Sequence, residues 1–360
     1  MANIQTSLKP KLGLVEATGD HYQIGLALGR GAARALREQI PLIGRFRALK
    51  RNAEALRALD SLEEAGRDSF PEIMREVDGI AAGSGMDFRD VWLWNCRGDF
   101  AGGGDQSKSA LAGCTTVLLP GTAEKPAIIG HNEDDQAELD GSCFLARVVP
   151  DDGPAFLSFY SPGLLPGHTF AVNDAGLVQT INHIRPYDQR RGIPRHVIAR
   201  AVLSQSSIKD AVALLQREDR ASGFHHNLGI CGEPRLYSVE APASGCVVEE
   251  ISKRPRAHTN HLVYDRFADL NQELATSSRD RLRRAEALIG EGGLTERNPL
   301  VILQDSAGIG MPIYRKGSYA GDTGYTLATV IFEIGAGSID WRIFTDADTE
   351  VEHLGSVGVN

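Results

Sequence analysis

The residue pattern of this 360-residue chain changes character at one step, Gly113-Cys114-Thr115-Thr116. Before it, apolar residues recur at helical spacing. Ile24, Leu26, Leu28, Ala32, Ala33 and Leu36 predict a helix over 22–38, and an Ala/Leu/Arg/Glu-rich run predicts another over 46–64. A third starts near Pro71, a residue suited to the first helical turn, and a fourth spans 91–96. After the step the period falls to two. Strands are predicted over 115–119, 127–131, 144–149, 155–160, 169–172, 177–181, 227–231, 236–240, 245–251, 326–334 and 339–345, with Gly- and Pro-containing turns between many of them. Helices over 194–203, 207–216 and 278–289 interrupt. Hairpin-linked strands with clustered helices define an α+β layered architecture. The Gly/Ser/Lys-rich stretch 102–113 reads either as a boundary between two domains or as an exposed loop inside one.

Composition narrows the function classes. A 42% hydrophobic, 24% charged chain can bury a core. A net charge of −9 argues against a nucleic-acid partner, which needs a basic face. No apolar run approaches the roughly 20 residues of a membrane span, and residues 1–7 lack the basic and apolar blocks of a secretory signal. The expectation is a soluble, cytoplasmic protein without membrane or nucleic-acid partners. Five cysteines, an odd number without any C-x-x-C pair, indicate neither a disulfide framework nor a zinc site. No metal or other cofactor is expected.

Cys114 alone has a context that suggests chemistry. A thiol following a glycine can attack the glycine carbonyl, cut the chain and leave cysteine as a new N-terminus. That terminus carries a nucleophile and a base on one residue, because an α-amine titrates near 7.7–8.0. Gly113 suits the attack, having no Cβ to obstruct approach. The plainer reading of Cys114 is a core cysteine at a strand start. In Asn132-Glu133-Asp134, residues 132 and 134 share a strand face. If this strand pairs with 114–119, Asp134 lies near the strand start, where a carboxylate would hold the nascent ammonium group. The plainer reading there is an acidic turn.

Gly113-Cys114-Thr115-Thr116 followed by Gly130-His131-Asn132-Glu133-Asp134 resembles the acyl-CoA:6-aminopenicillanic acid acyltransferase family, a branch of the N-terminal-nucleophile hydrolases. The resemblance extends upstream through Gly19-Asp20-His21-Tyr22-Gln23-Ile24-Gly25 and Glu76-Val77-Asp78-Gly79-Ile80. Downstream it takes in Asn173-Asp174-Ala175-Gly176-Leu177, His258-Thr259-Asn260-His261 and Tyr325-Thr326-Leu327-Ala328-Thr329-Val330. It implies a four-layer αββα sandwich over 1–360 as one domain. A mainly helical fragment 1–113 and a fragment 114–360 would stay associated after cleavage between Gly113 and Cys114. It also implies roles: Cys114 as nucleophile, Asp134 at its amine, Asn260 as oxyanion donor and Asn182 as a second active-site asparagine. Arg315 falls near a family position where a basic residue lines the site, with Arg279 as its rival; Thr116 joins these as a substrate-binding candidate. One departure stands out. Glu133 occupies a position that is aromatic in the fungal penicillin-forming members, which points away from penicillin chemistry and leaves amide chemistry intact.

Other features have weaker chemistry. Adjacent His225 and His226 on a strand face opposite ways and have no third ligand at zinc-like spacing. The run Arg185, Arg190, Arg191 and Arg195, with Tyr187, reads as a solvated loop or as a clamp for a substrate carboxylate or phosphate. Arg279–Arg284 reads as the charged face of a helix. The expected function is a self-processing cysteine amidohydrolase that cleaves a small N-acyl amine or N-acyl amino acid through an acyl-thioester. The alternatives are an acyltransferase drawing on acyl-CoA and a non-catalytic binding protein on the same fold. A homo-oligomer is compatible with all three.

Overall fold

A computed structural model describes residues 3–6, 10–100, 113–291, 298–307, 312–317, 324–347 and 350–359. The glycine-rich stretch preceding Gly113 lies outside the described residues.

The chain opens with β1 (Asn3–Thr6) and β2 (Gly13–Gly19), then α1 (His21–Glu38), α2 (Gly44–Arg51), α3 (Ala53–Ser69), α4 (Pro71–Ser84) and α5 (Phe88–Asn95). Asp20 starts α1 through a capping box with Gln23. The Ala/Leu/Arg/Glu run expected as one helix is two. Asn52 adopts an extended conformation and its side chain accepts from the N–H groups of Glu54 and Ala55, capping α3. Helices α1 and α4 touch through glycines. A Cβ on Gly25 would lie 2.0 Å from the Glu76 carbonyl oxygen, and one on Gly79 would lie 2.2 Å from that of Tyr22. Only a bare backbone allows that approach.

Beyond Cys114 come β3 (Thr115–Leu119), β4 (Ala127–Gln136), β5 (Phe144–Pro150), β6 (Phe156–Tyr160), β7 (Ala171–Asn173) and β8 (Leu177–Asn182). Helices α6 (Arg195–Leu203) and α7 (Ile208–Leu215) follow, then β9 (His225–Ile230), β10 (Leu236–Glu240), β11 (Val247–Ile251) and β12 (Arg256–His258). The chain ends with α8 (Thr276–Gly290), α9 (Leu300–Leu303), β13 (Gly324–Ile334), β14 (Ser338–Phe344) and β15 (His353–Gly358).

The strands form two sheets. One runs β1-β15-β14-β13-β4-β3-β12, the other β11-β10-β9-β8-β7-β6-β5-β2. They face each other where β3 meets β8 and β4 meets β9. Helices α8 and α9 cover the outer face of the first sheet, and α1, α6 and α7 cover the second. The result is the expected α+β sandwich, helix–sheet–sheet–helix. Strands from before Cys114 pair with strands after it: β1 with β15, antiparallel, and β2 with β5, parallel. No helix among the described residues is long and apolar enough to cross a membrane.

Candidate active site

Cys114 sits at the lip of β3, and the alternation of β3 and its neighbour β4 sorts the site into two faces. Thr115 pairs with Asn132 and Thr116 with His131, so Glu133 comes opposite Cys114. On the face between the sheets, the Cys114 thiol donates to Glu133 Oε2 at 3.2 Å. The Thr169 hydroxyl donates to the same oxygen. His131 joins the network through Nδ1 to Thr116 Oγ1 (2.8 Å) and Nε2 to Thr169 Oγ1 (3.3 Å). Thr116 donates to Asn182 Oδ1 at 2.8 Å, and Asn227 Nδ2 donates to that oxygen at 3.0 Å. Thus Asn182 holds Thr116 from the opposite sheet.

The other face holds the peptide bond before Cys114. Arg315 Nη2 donates both to Asp134 Oδ2 (2.6 Å) and to the Gly113 carbonyl (2.8 Å). Arg281, fully buried, donates to the Cys114 carbonyl (2.7 Å), Thr115 Oγ1 (2.8 Å) and Asn260 Oδ1 (2.7 Å). Asn260 itself is anchored through its N–H, which donates to Ser278 Oγ on α8. A Cβ on Gly113 would come within 2.2 Å of Asn260 Oδ1, so the glycine makes room for the asparagine. Two buried polar atoms near this peptide have no partner among the described residues: Asn260 Nδ2, a donor, and Asp134 Oδ1, an acceptor. Strand geometry contributes to the split. The β4–β13 ladder shifts register between Thr326, opposite Asp134, and Ala328, opposite Glu133. Such a bulge re-aims side chains next to it.

Electrostatics keeps the thiol protonated in the intact chain. Burial pushes the Cys114 thiol well above its ordinary value, and the charges of Glu133 and Asp134 push the same way. Burial alone would also raise Glu133. The His131 ring beside it, with His168 and the Thr169 hydroxyl, instead holds its carboxyl below the usual value. Glu133 is therefore an ionised acceptor in contact with a thiol proton. The ligating atoms of Cys114, His131 and Glu133 lie within 4.8 Å of one another, the spacing of a metal set. Both His131 nitrogens already face hydroxyls, so the set reads as a proton network.

Cys114 and Gly113 open onto a cavity of about 640 Å³, the size of a small-ligand site. Glu133, Asp134, His168, His196, Phe224, and the arginines 45, 97, 185 and 195 also line it.

Of the residues singled out from sequence, Gly113, Cys114, Asp134, Asn260 and Arg315 converge on one peptide bond. Asn182 and Thr116 stand behind the thiol in the network between the sheets. Tyr187 is 55% exposed at the cavity rim. Arg279 faces solvent on α8. The residue α8 turns inward is Arg281, so the Arg279–Arg284 run is not simply a charged outer face. The clue is helical phase: Ser277, Arg281 and Ala285 recur every four residues, and small residues flanking a charged one mark a buried stripe. Glu133 was legible only as a departure from the family pattern; its contact with the thiol follows from the strand pairing. His225 and His226 are engaged separately, His225 with Asn182 and Ser238, His226 with Gln179.

The chain is 26% identical over 364 residues to a beta-alanyl-dopamine/carcinine hydrolase of Drosophila melanogaster, covering 93% of this chain and 92% of that protein. It is 24% identical over 290 residues to the 40 kDa form of an acyl-coenzyme A:6-aminopenicillanic-acid-acyltransferase of Emericella nidulans, covering 79% and 78%. Residues 122–345, which include Asp134, Asn182, Asn260 and Arg315, match the family described as acyl-coenzyme A:6-aminopenicillanic acid acyl-transferase. The chain belongs to that family.

Proposed function

We propose that the protein is a self-processing cysteine amidohydrolase acting on a carbon–nitrogen bond of a small N-acyl compound. The observation that carries the reading is the crowding of complementary groups on one peptide bond. A nucleophile follows the Gly113 carbonyl, a guanidinium donates to its oxygen, and the Asn260 side-chain amide packs beside Gly113 with an Nδ2 donor that has no partner among the described residues.

In maturation, the Cys114 thiol gives its proton to Glu133 as sulfur attacks the Gly113 carbonyl. Arg315 Nη2 stabilises the oxygen as it gains charge. The C–N bond breaks, the proton returns to the Cys114 nitrogen, and a thioester links Gly113 to sulfur. Water hydrolyses that thioester and leaves Gly113 with a carboxylate. The freed α-ammonium then has Asp134 Oδ1 as an acceptor. In turnover the neutral α-amine takes the thiol proton, sulfur attacks the substrate amide, the amine departs protonated, and water releases the acid. Asn260 Nδ2 donates to the oxyanion in both half-reactions. The two fragments stay together because β1–β15 and β2–β5 cross the cut.

The hydrolase relative supports hydrolysis over most of the chain, and the acyltransferase relative supports interception of the same thioester by an amine. The test runs acid release from an amide panel beside amide formation from acyl-CoA and an amine. Acid from amides supports the reading. No acid from amides, with new amide formed from acyl-CoA, replaces it with the transferase.

A further inference from the structure

The cavity beyond Cys114 is unusually rich in cations. Arg45 (on α2), Arg97 (after α5), Arg185 (after β8) and Arg195 (first residue of α6) all line it, although no two come from the same element. Arg195 is 3% exposed, its guanidinium lies 4.3 Å over the Phe224 ring, and its buried Nε has no partner among the described residues. Its Nη2 fills the space above Gly98, where a Cβ would fall 1.7 Å away, so the backbone leaves room for this guanidinium. The His168 Nε2 and His196 Nδ1 atoms are likewise buried without partners among the described residues.

Among the described residues, most carboxylates that line the cavity are engaged elsewhere or face solvent. Asp134 is held by Arg315, Glu133 by the thiol and Thr169, and Glu138 is exposed at the rim. Asp135 acts on Arg97 and Glu273 on Arg185. Burial raises Asp135, and also Asp99 behind Arg195, opposing their charged forms. Burial, together with their mutual repulsion, lowers Arg97 and Arg185 to about 10 and Arg195 to about 9. All three remain charged at neutral pH, with electrostatic repulsion that an anion would relieve.

We propose that Arg195, with Arg45, Arg97 and Arg185, forms an anion subsite, and that the substrate is an amide bearing a carboxylate away from the scissile bond. Guanidinium forks match carboxylate geometry, and the cavity is of small-molecule size. The ring of Phe224 under Arg195 fixes the guanidinium plane, and the two histidine nitrogens add neutral hydrogen-bonding positions. The proposal rests on the amidohydrolase reading and narrows its substrate class. The carboxylate can sit on the leaving amine, as in an N-acyl amino acid, or on the acyl group, as in a dicarboxylic monoamide.

The test uses the matured wild-type protein and acyl chains of two to ten carbons, each in three forms: the N-acylglycine, the N-acylmethylamine, and the dicarboxylic mono-methylamide. The expected result is kcat/KM at least tenfold higher for one carboxylate form than for the neutral amide, and which form wins assigns the carboxylate to the amine or acyl side. Arg195→Gln should cut that ratio at least fivefold, mainly through KM, with Arg195→Lys retaining part of it. Arg185→Gln, at a half-buried position, serves if the Arg195 variants fail to fold. Neutral amides hydrolysed as well as both carboxylate forms would overturn the subsite and leave the amidohydrolase standing. If no amide is hydrolysed, the parent reading fails. Calorimetry with all three forms then tests the subsite alone, and equal affinities of the neutral amides and both carboxylate forms would overturn it.

Discussion

Asn260→Asp separates the oxyanion role of this residue from its structural one. The swap is nearly isosteric. Oδ1 remains to accept from Arg281 Nη2, now as a charged partner, while the Nδ2 donor, without a partner among the described residues, becomes an acceptor. Losing one preorganised oxyanion donor costs about 10²–10³ in kcat, roughly 2.7–4 kcal/mol. A carboxylate facing a developing negative charge makes the loss at least that large. Stability should hold, because Arg281 keeps its bond. Asn260→Ala is the poorer variant. Asn260 is buried rather than on a solvated cleft, and truncation removes a charge-assisted hydrogen bond worth about 1.5–3 kcal/mol. The assay measures kcat per matured active site, counted by mass spectrometry, together with thermal unfolding. A well-folded Asn260→Asp protein with kcat within threefold of wild type would remove Asn260 from the mechanism.

Three further outcomes follow from the same geometry. Glu133→Gln should slow maturation by about 10²–10⁴, the range for loss of a general base. If Glu133 acts only as a charge that disfavours thiolate, the same variant should mature faster, so time-resolved mass spectrometry gives results of opposite sign. Gly113→Ala should slow maturation and destabilise the precursor by about 1–3 kcal/mol, since its Cβ would overlap Asn260; urea titration and cleavage timing check both. Glu76 is fully buried between Arg200 and His21, joining α4 to α6 and α1. Burial opposes its ionisation, but Arg200 and His21 hold its pKa below the ordinary 4.5. Its stabilisation is thus present above pH 4.5 and lost as pH falls through the lower folded value. Glu76→Gln should cost about 3–5 kcal/mol at pH 7 by leaving Arg200 unpaired. The gap from wild type should shrink in acid, and a gap independent of pH down to 3 would contradict the assignment.

Periodicity and turn chemistry made most of the fold legible. The expected strands 115–119 and 236–240 match β3 and β10 at both ends. Ser207, where the helix expected over 207–216 begins, caps α7 by accepting from the Asp210 N–H. What escaped lacks a one-sided apolar pattern. Strand β2 is largely exposed, with Glu16 and Thr18 among its residues, and is a strand because β5 pairs with it in parallel. Strand β15 carries glycines and a serine and is set by β14 and β1. Within the site, Gly113, Cys114, Asp134, Asn260 and Arg315 could be singled out because they lie in recognisable motifs. Arg281 and Glu133 could not be assigned work, because charged residues read as surface until a partner is seen. The arginines 45, 97, 185 and 195 are scattered over 151 positions of sequence, and only the tertiary fold brings them to one cavity.

The most direct measurement is the denatured mass of the purified protein beside its Cys114→Ala variant. The account predicts two polypeptides for the wild type, residues 1–113 and 114–360, that co-elute before denaturation, and one 38.9 kDa chain for the variant. A wild-type protein that hydrolyses amides at full rate as a single uncut 38.9 kDa chain would contradict it.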